Sequence, residues 1–189
     1  THRVKFLIET AGVAPSGILV VTFTKAAASE MKNRFLKLTG QKSAPVSFGT
    51  FHAVFFTILK HAYGFTAASV LTPEKRREIF DNLAARYQLE VDDEADFMES
   101  MASEISLIKS EMISPDTYYS VTCAADIFRK FFESYQRCLR QQRLLDFDDM
   151  MLYTYRLFKE RSDILKAWQN KFKYILVDEF QDVSRLQYE

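Results

Sequence analysis

The spacing of apolar positions changes several times along the chain, and each change marks an element. Residues 1–10 place Val4, Leu7 and Ile8 at helical spacing. Residues 18–24 (ILVVTFT) are a β-branched and aromatic run that predicts a buried strand. In residues 25–38, Ala27, Met31, Phe35 and Leu38 recur with the period of a core-facing helix. A short strand is expected over 45–49, and Thr50 is placed to cap a helix reaching about residue 62. Thr72-Pro73-Glu74 then combines an N-cap with proline at the first helical position, opening a helix to about residue 87. Residues 90–104 carry seven acids, and no Lys or Arg appears before Lys109. The first half of that stretch, Asp92 to Asp96 included, reads as a solvent-facing loop, and residues 97–108 as a helix. Ser114-Pro115 opens a short element. Residues 124–144 form a long amphipathic helix with Phe128, Phe131, Phe132, Tyr135 and Leu139 on one face. Asp146 caps or begins a helix through Met150 and Leu157, and residues 162–170 form another. The chain then enters the apolar run Tyr174-Ile-Leu-Val177, read as a second fully buried strand.

Strand–helix segments thus flank an almost wholly helical middle. That order predicts an α/β fold with a parallel sheet and an inserted helical subdomain, rather than two tandem domains. The expected division is 1–72, 73–143 and 144–189. With 48% hydrophobic and 14% aromatic residues, the chain can bury a proper core. Lys+Arg and Asp+Glu both total 25, so any nucleic-acid contact must come from a local surface or from stacking. Cys123 and Cys138 lack a C-x-x-C spacing and read as buried thiols of a reducing compartment. No apolar run approaches the ~20 residues that span a bilayer. The chain starts at Thr1 and stops at Glu189 just past an acidic motif, and both ends read as cuts through a larger protein.

That motif carries the chemistry. Ligand sites in open α/β sheets lie beyond the carboxyl ends of the strands, and Asp178 and Glu179 follow the second apolar run directly. Two adjacent carboxylates there have the layout of a Walker B element, in which one acid positions Mg²⁺ and the next orients the attacking water. The matching Walker A loop, G-x-x-x-x-G-K-[ST], is not in this chain. Gly12 and Gly17 have the right separation, but Ile18 and Leu19 follow them instead of Lys and Ser/Thr. Asp146, Asp148 and Asp149 admit two readings: a second metal site, or a helix cap with acidic neighbours. Arg137, Arg140 and Arg143 recur every three residues and either track phosphates or form a solvated basic face. By periodicity Phe23 is a core residue, and a lone histidine such as His52 in an aromatic helix is more often packed than functional.

The string Asp178-Glu-Phe-Gln-Asp182 resembles motif II of the UvrD/Rep-type superfamily 1 DNA helicases. Val21-Thr-Phe-Thr-Lys-Ala-Ala-Ala-Ser-Glu-Met31 resembles the family's motif Ia, and Gly49-Thr-Phe-His52 its motif Ib. Leu145-Asp-Phe-Asp-Asp-Met150 is similar to the LDFDDL segment that precedes motif II. The matches occur in family order across nearly the whole chain. One departure is that Lys25 directly follows Thr24, where the family often has TFTNKAA. The resemblance implies a partial RecA-like domain of the P-loop NTPase type, split by the helical subdomain, within an ATP-dependent DNA helicase or translocase of repair, replication or recombination. Asp178, Glu179 and Gln181 would be catalytic, Asp178 by holding Mg²⁺ and Glu179 by activating the water, and Gln181 and Asp182 would link the nucleotide state to neighbouring motifs. Thr22, Phe23, Thr24, Thr50, Phe51 and His52 would contact DNA, with Phe23 stacking on bases. ATP, Mg²⁺, single-stranded DNA, single-strand/duplex junctions and a second RecA-like motor domain of the same polypeptide are the implied partners. A cytoplasmic, nucleoid-associated prokaryotic setting is implied, with no membrane. The chain alone, lacking Walker A, is expected to be inactive. A motor coupled to a nuclease and a catalytically degenerate DNA-binding module are the alternatives.

Overall fold

A computed structural model of the protein describes residues 1–89 and 93–189. Its elements begin with α1 (His2–Glu9), β1 (Ile18–Thr22), α2 (Lys25–Thr39), β2 (Ser47–Thr50) and α3 (Phe51–Tyr63). The helical middle follows as α4 (Pro73–Arg86), α5 (Glu94–Ser110) and α6 (Ala125–Gln142). The chain closes with α7 (Phe147–Glu160), α8 (Ser162–Lys171), β3 (Tyr174–Val177) and the single turn α9 (Arg185–Tyr188). It divides into two compact units, residues 1–58 with 154–183 and residues 59–153 with 184–189. Among the described residues no helix is long and apolar enough to cross a membrane.

The first unit is built on a three-stranded, all-parallel sheet of order β2-β1-β3. All five residues of β1 are buried, because the strand is hydrogen-bonded on both edges and covered on both faces. Side chains alternate along a strand, so Ile18 and Val20 pack with Val4 of α1 and Phe35 of α2, whereas Leu19 and Val21 pack with Phe51. The expected strand over 18–24 ends at Thr22, since the Thr24 hydroxyl accepts the Ala27 N–H at 3.1 Å and caps α2. Gly40, at φ +67°, closes that helix in the left-handed conformation that glycine adopts without strain. One expectation fails. β3 is not fully buried: Tyr174 and Ile175 are exposed, Ile175 at 61%. Among the described residues β3 pairs with β1 alone, at the edge of the sheet, without the second neighbour that helps bury the central strand.

The second unit has an aromatic core. Phe128, Phe131, Tyr135 and Leu139 line one stripe of α6 at three- and four-residue spacing. Phe80 of α4 meets Phe131 and Tyr135 edge-on, each at 5.2 Å between ring centres. α5 starts earlier than expected. The Asp93 carboxylate accepts the Ala95 and Asp96 N–H groups at 2.8 and 3.2 Å, so part of the acidic run caps and opens the helix. Glu90, Val91 and Asp92, the rest of the expected loop, lie outside the described residues. The buried Glu104 carboxylate accepts from the Val121 and Thr122 N–H groups and from the Ser120 and Thr122 hydroxyls. These bonds pin the loop before α6. Arg137, Arg140 and Arg143 are exposed, as a solvated basic face requires, and Arg143 also donates to the Tyr63 carbonyl at 3.2 Å.

Phe131→Ala is expected to cost about 3–5 kcal/mol, because a fully buried ring leaves a cavity that its neighbours cannot fill. Phe132→Ala, at a half-buried position of the same helix, is expected to cost clearly less. Urea unfolding of both variants checks the order.

Candidate functional site

Parallel pairing brings the strand ends to one edge. In register, Thr22 of β1 faces Thr50 of β2, and Val21 faces Val177 of β3. Phe23, Phe51 and Asp178 therefore leave the sheet side by side at its carboxyl end. The Asp178 N–H continues the ladder by donating to the Val21 carbonyl at 2.9 Å, which ties the acidic motif to the strand carrying Phe23. Asp178 is half-buried, whereas Glu179, Gln181 and Asp182 are exposed. Glu179 lies in the left-handed region at φ +52°, ψ +48°, which costs a non-glycine residue about 1–2 kcal/mol. The turn that follows closes when the Asp182 N–H donates to the Glu179 carbonyl at 2.9 Å. In the same turn the Gln181 amide donates to Glu179 Oε2 at 2.6 Å and to Asp182 Oδ2 at 3.5 Å.

The neighbouring strand ends present fewer accessible groups than the sequence suggests. Thr22 is 3% exposed within the sheet, and burial removes it from direct contact with a ligand. Thr50 is also buried, with its hydroxyl accepting the Ala53 N–H at 3.2 Å to start α3. Phe51 is buried in the core between Phe23 and Phe55, at 5.4 and 6.1 Å between ring centres. Phe23 itself is 36% exposed, so it presents part of its ring outward while Phe51 backs it. Thr24 is exposed. His52 is half-buried, and burial holds its imidazole below the ordinary value, so the ring is neutral at pH 7.

The donor set suits Mg²⁺ bound to a nucleotide. Asp178 and Glu179 offer hard carboxylate oxygens at a strand end, and Mg²⁺ takes one or two carboxylates and fills its remaining positions with water and phosphate. No cluster of three His, Cys, Asp or Glu side chains able to hold a metal occurs among the described residues, so an all-protein cage is not what this motif builds.

The Asp146, Asp148 and Asp149 group has a different occupant from the metal weighed above. The Lys109 ammonium, 2% exposed, pairs with Asp146 Oδ2 at 2.5 Å and with Asp149 Oδ1 at 2.8 Å. The Tyr135 hydroxyl donates to Asp146 Oδ2 at 3.0 Å, and the Ser106 hydroxyl to Asp148 Oδ1 at 3.1 Å. Asp146 Oδ1 accepts the Asp149 N–H at 2.8 Å, so the cap reading holds. An ammonium stands where the second-metal reading requires an ion. Burial works against the Lys109 charge, but Asp146 and Asp149 outweigh it and hold its pKa above the ordinary value. Burial pushes the Asp149 carboxyl up to about 7; Lys109 opposes that rise and the charge of Asp146 adds to it. Asp148 is also raised, by burial first and then by Asp146. Asp149 Oδ2 is buried without a hydrogen-bond partner. Sequence reasoning missed Lys109, yet Met101, Ile105 and Lys109 recur every four residues, which puts the lysine on the buried stripe of α5. A cavity of about 570 Å³ between α4 and α5, lined by Arg76, Arg77, Phe80, Met98 and Ser106 among others, includes none of the motif residues.

A parallel sheet that gathers an acidic pair and an aromatic strand end at one edge defines the class: a partial RecA-like α/β domain. The chain belongs to the UvrD/REP helicase N-terminal domain family, whose model matches residues 1–189. Over its whole length it is 33% identical to a probable DNA helicase II homologue of Mycoplasma capricolum, 27% of which is covered. It is 32% identical to the ATP-dependent DNA helicase PcrA of Staphylococcus aureus, 26% covered, and 33% identical to the putative ATP-dependent DNA helicase YjcD of Bacillus subtilis, 25% covered. The chain thus spans about a quarter of the length of these relatives.

Lys109→Met leaves buried carboxylates without their cation and is expected to destabilise the protein by about 3–5 kcal/mol. The pH dependence gives a second check. The folded-state pKa of Asp149, about 7, lies above the unfolded value of about 3.9. Its contribution to stability is therefore full below the unfolded pKa and lost as pH rises through 7. Asp149→Asn is expected to flatten that part of the profile, measured as the urea midpoint of both proteins from about pH 4 to about pH 8. Parallel profiles would show that Asp149 does not carry the dependence.

Proposed function

We propose that the intact protein is an ATP-dependent DNA helicase or translocase, and that this chain supplies part of its first RecA-like motor domain. The proposed division is motor residues 1–72 and 144–189 with a helical insertion at 73–143. The observation that carries the reading is the hydrogen bond from the Asp178 N–H to the Val21 carbonyl, which couples the acidic motif to the strand ending at Phe23. Nucleotide chemistry and DNA contact then share one sheet edge.

Asp178 would hold Mg²⁺, and Glu179 would accept a proton from the attacking water. Bound Mg²⁺ would neutralise charge on the phosphates. Gln181 and Asp182 sit in the turn that Glu179 opens, where they link nucleotide state to neighbouring segments. On the DNA side the accessible groups are Phe23, Thr24 and His52. Phe23 stacks against a base with Phe51 supporting it from behind, and Thr22 and Thr50 hold the strand ends rather than touching phosphate. Neutral His52 acts by hydrogen bonding or stacking, not by charge. Partners of this reading are single-stranded DNA, single-strand/duplex junctions and a second motor domain in the same polypeptide. The relatives named above as DNA helicases support the substrate class. Its setting is then the nucleoid of a prokaryotic cytoplasm, in repair, replication or recombination.

The test is ATP hydrolysis by the full-length natural protein with and without single-stranded DNA. Hydrolysis stimulated by DNA is expected, and Glu179→Gln should lower it by about 10²–10⁴-fold. Phe23→Ala is expected to weaken single-stranded DNA binding by about 1–3 kcal/mol, roughly 5- to 150-fold. DNA binding that depends on Phe23 without any hydrolysis would make the protein a binding module instead.

A further inference from the structure

Two features of the acidic turn have no use in the reading above. Glu179 is held in a left-handed backbone conformation at φ +52°, and among the described residues the hydrogen bond to its carboxylate falls on Oε2, from the Gln181 amide at 2.6 Å. The backbone outlier is sustained by its surroundings: the Asp178 N–H is fixed to the Val21 carbonyl on one side, and the Asp182 N–H closes the turn on the other. Strain persists only where neighbouring contacts over-determine it, and it collects where geometry serves chemistry. Glu179 is exposed, so packing does not fix its side chain.

We infer that Gln181 is a positioning residue that acts through Glu179: its amide anchors Oε2 and leaves Oε1 free to receive a proton. In the step served, water attacks the terminal phosphorus of ATP and its proton passes to Glu179. The bond from that phosphorus to the bridging oxygen breaks, and ADP leaves with the bonding pair as inorganic phosphate forms. A glutamate at an exposed turn samples several rotamers, and only some aim an oxygen at the water. A glutamine two residues on, donating within one tight turn, selects among them. Asp182 Oδ2, at 3.5 Å from the same amide, holds the glutamine in turn. The resemblance implied a catalytic and a coupling role for Gln181 without saying how it acts; the anchoring of Oε2 gives it one task in the chemical step, a task that rests on the proposed hydrolase reading.

The experiment uses the full-length natural protein and three variants: Gln181→Met, which keeps the length and removes the amide, Glu179→Gln, and the two combined. Turnover is measured with and without single-stranded DNA, and nucleotide affinity with a fluorescent ATP analogue. Gln181→Met is expected to lower kcat about 10- to 100-fold, by the same factor with and without DNA. KM and analogue affinity should stay within about 2-fold, because anchoring a base for the transition state leaves ground-state binding unchanged. In single turnover, adding Gln181→Met to Glu179→Gln should cost nothing more, since a residue that acts only through Glu179 has no role once that base is gone. A loss confined to the DNA-stimulated rate would overturn the inference in favour of coupling. A fall in analogue affinity, or an additive loss in the double variant, would overturn it in favour of a structural or nucleotide-binding role. Wild-type turnover with an unaffected Gln181→Met variant would sink the inference alone. Absence of wild-type turnover would remove the hydrolase reading and the inference together.

Discussion

The parallel ladder around β1 is the constraint on which the site depends. A strand paired on both edges and packed on both faces has no freedom to slide, because a one-residue slip would turn its alternating side chains inside out. Ile18 and Val20 are committed to α1 and α2, and Leu19 and Val21 to Phe51. Every residue that reads as functional in the first unit leaves a strand of this ladder within a few residues of its last pair. The chemistry of the turn after β3 is thus set by packing that contains no catalytic group.

The second unit solves another problem with a different device. It concentrates three carboxylates around the start of α7, pairs two of them with a lysine from α5, and adds a hydrogen bond from a tyrosine hydroxyl of α6. A buried pair of this kind is poor evidence of extra stability, because desolvation offsets much of the attraction. Its members come from α5, α6 and the start of α7, and loss of Lys109 would leave the Asp146 and Asp149 carboxylates without their cation. Glu104 repeats the principle on a smaller scale by gathering four donors from one loop.

Much of this was legible in the amino-acid sequence, for reasons particular to each element. β1 and α2 announce themselves through an unbroken apolar run followed by a clean helical period, although the run as read took in Thr24, which the structure uses as the cap of α2. β3 misled, because Tyr174 and Ile175 have the composition of a buried strand while burial depends on neighbours that composition does not record. The start of α5 was hidden because aspartates suit both loops and helix N-termini, and only the capping bonds of Asp93 tell them apart. The three-aspartate segment could be narrowed to a cap or a metal, but its partner lies 37 residues away in sequence, beyond the reach of any local pattern. Motif strings pointed to residues that the structure gathers at the carboxyl edge of the sheet. They could not distinguish the part-exposed ring of Phe23 from the buried ring of Phe51, since packing between adjacent strands decides which one faces out.

The bond between the Asp178 N–H and the Val21 carbonyl also limits how such a domain can diversify. Loops between its elements can lengthen at little cost, because closure entropy grows slowly with loop length. One residue inserted into β1 or into β3, by contrast, would break the shared register, and the acidic turn and the aromatic strand end would no longer emerge together. A change of length is therefore far easier to absorb in the connections than in these two short strands, whose shared register brings the acidic turn and the aromatic strand end out side by side.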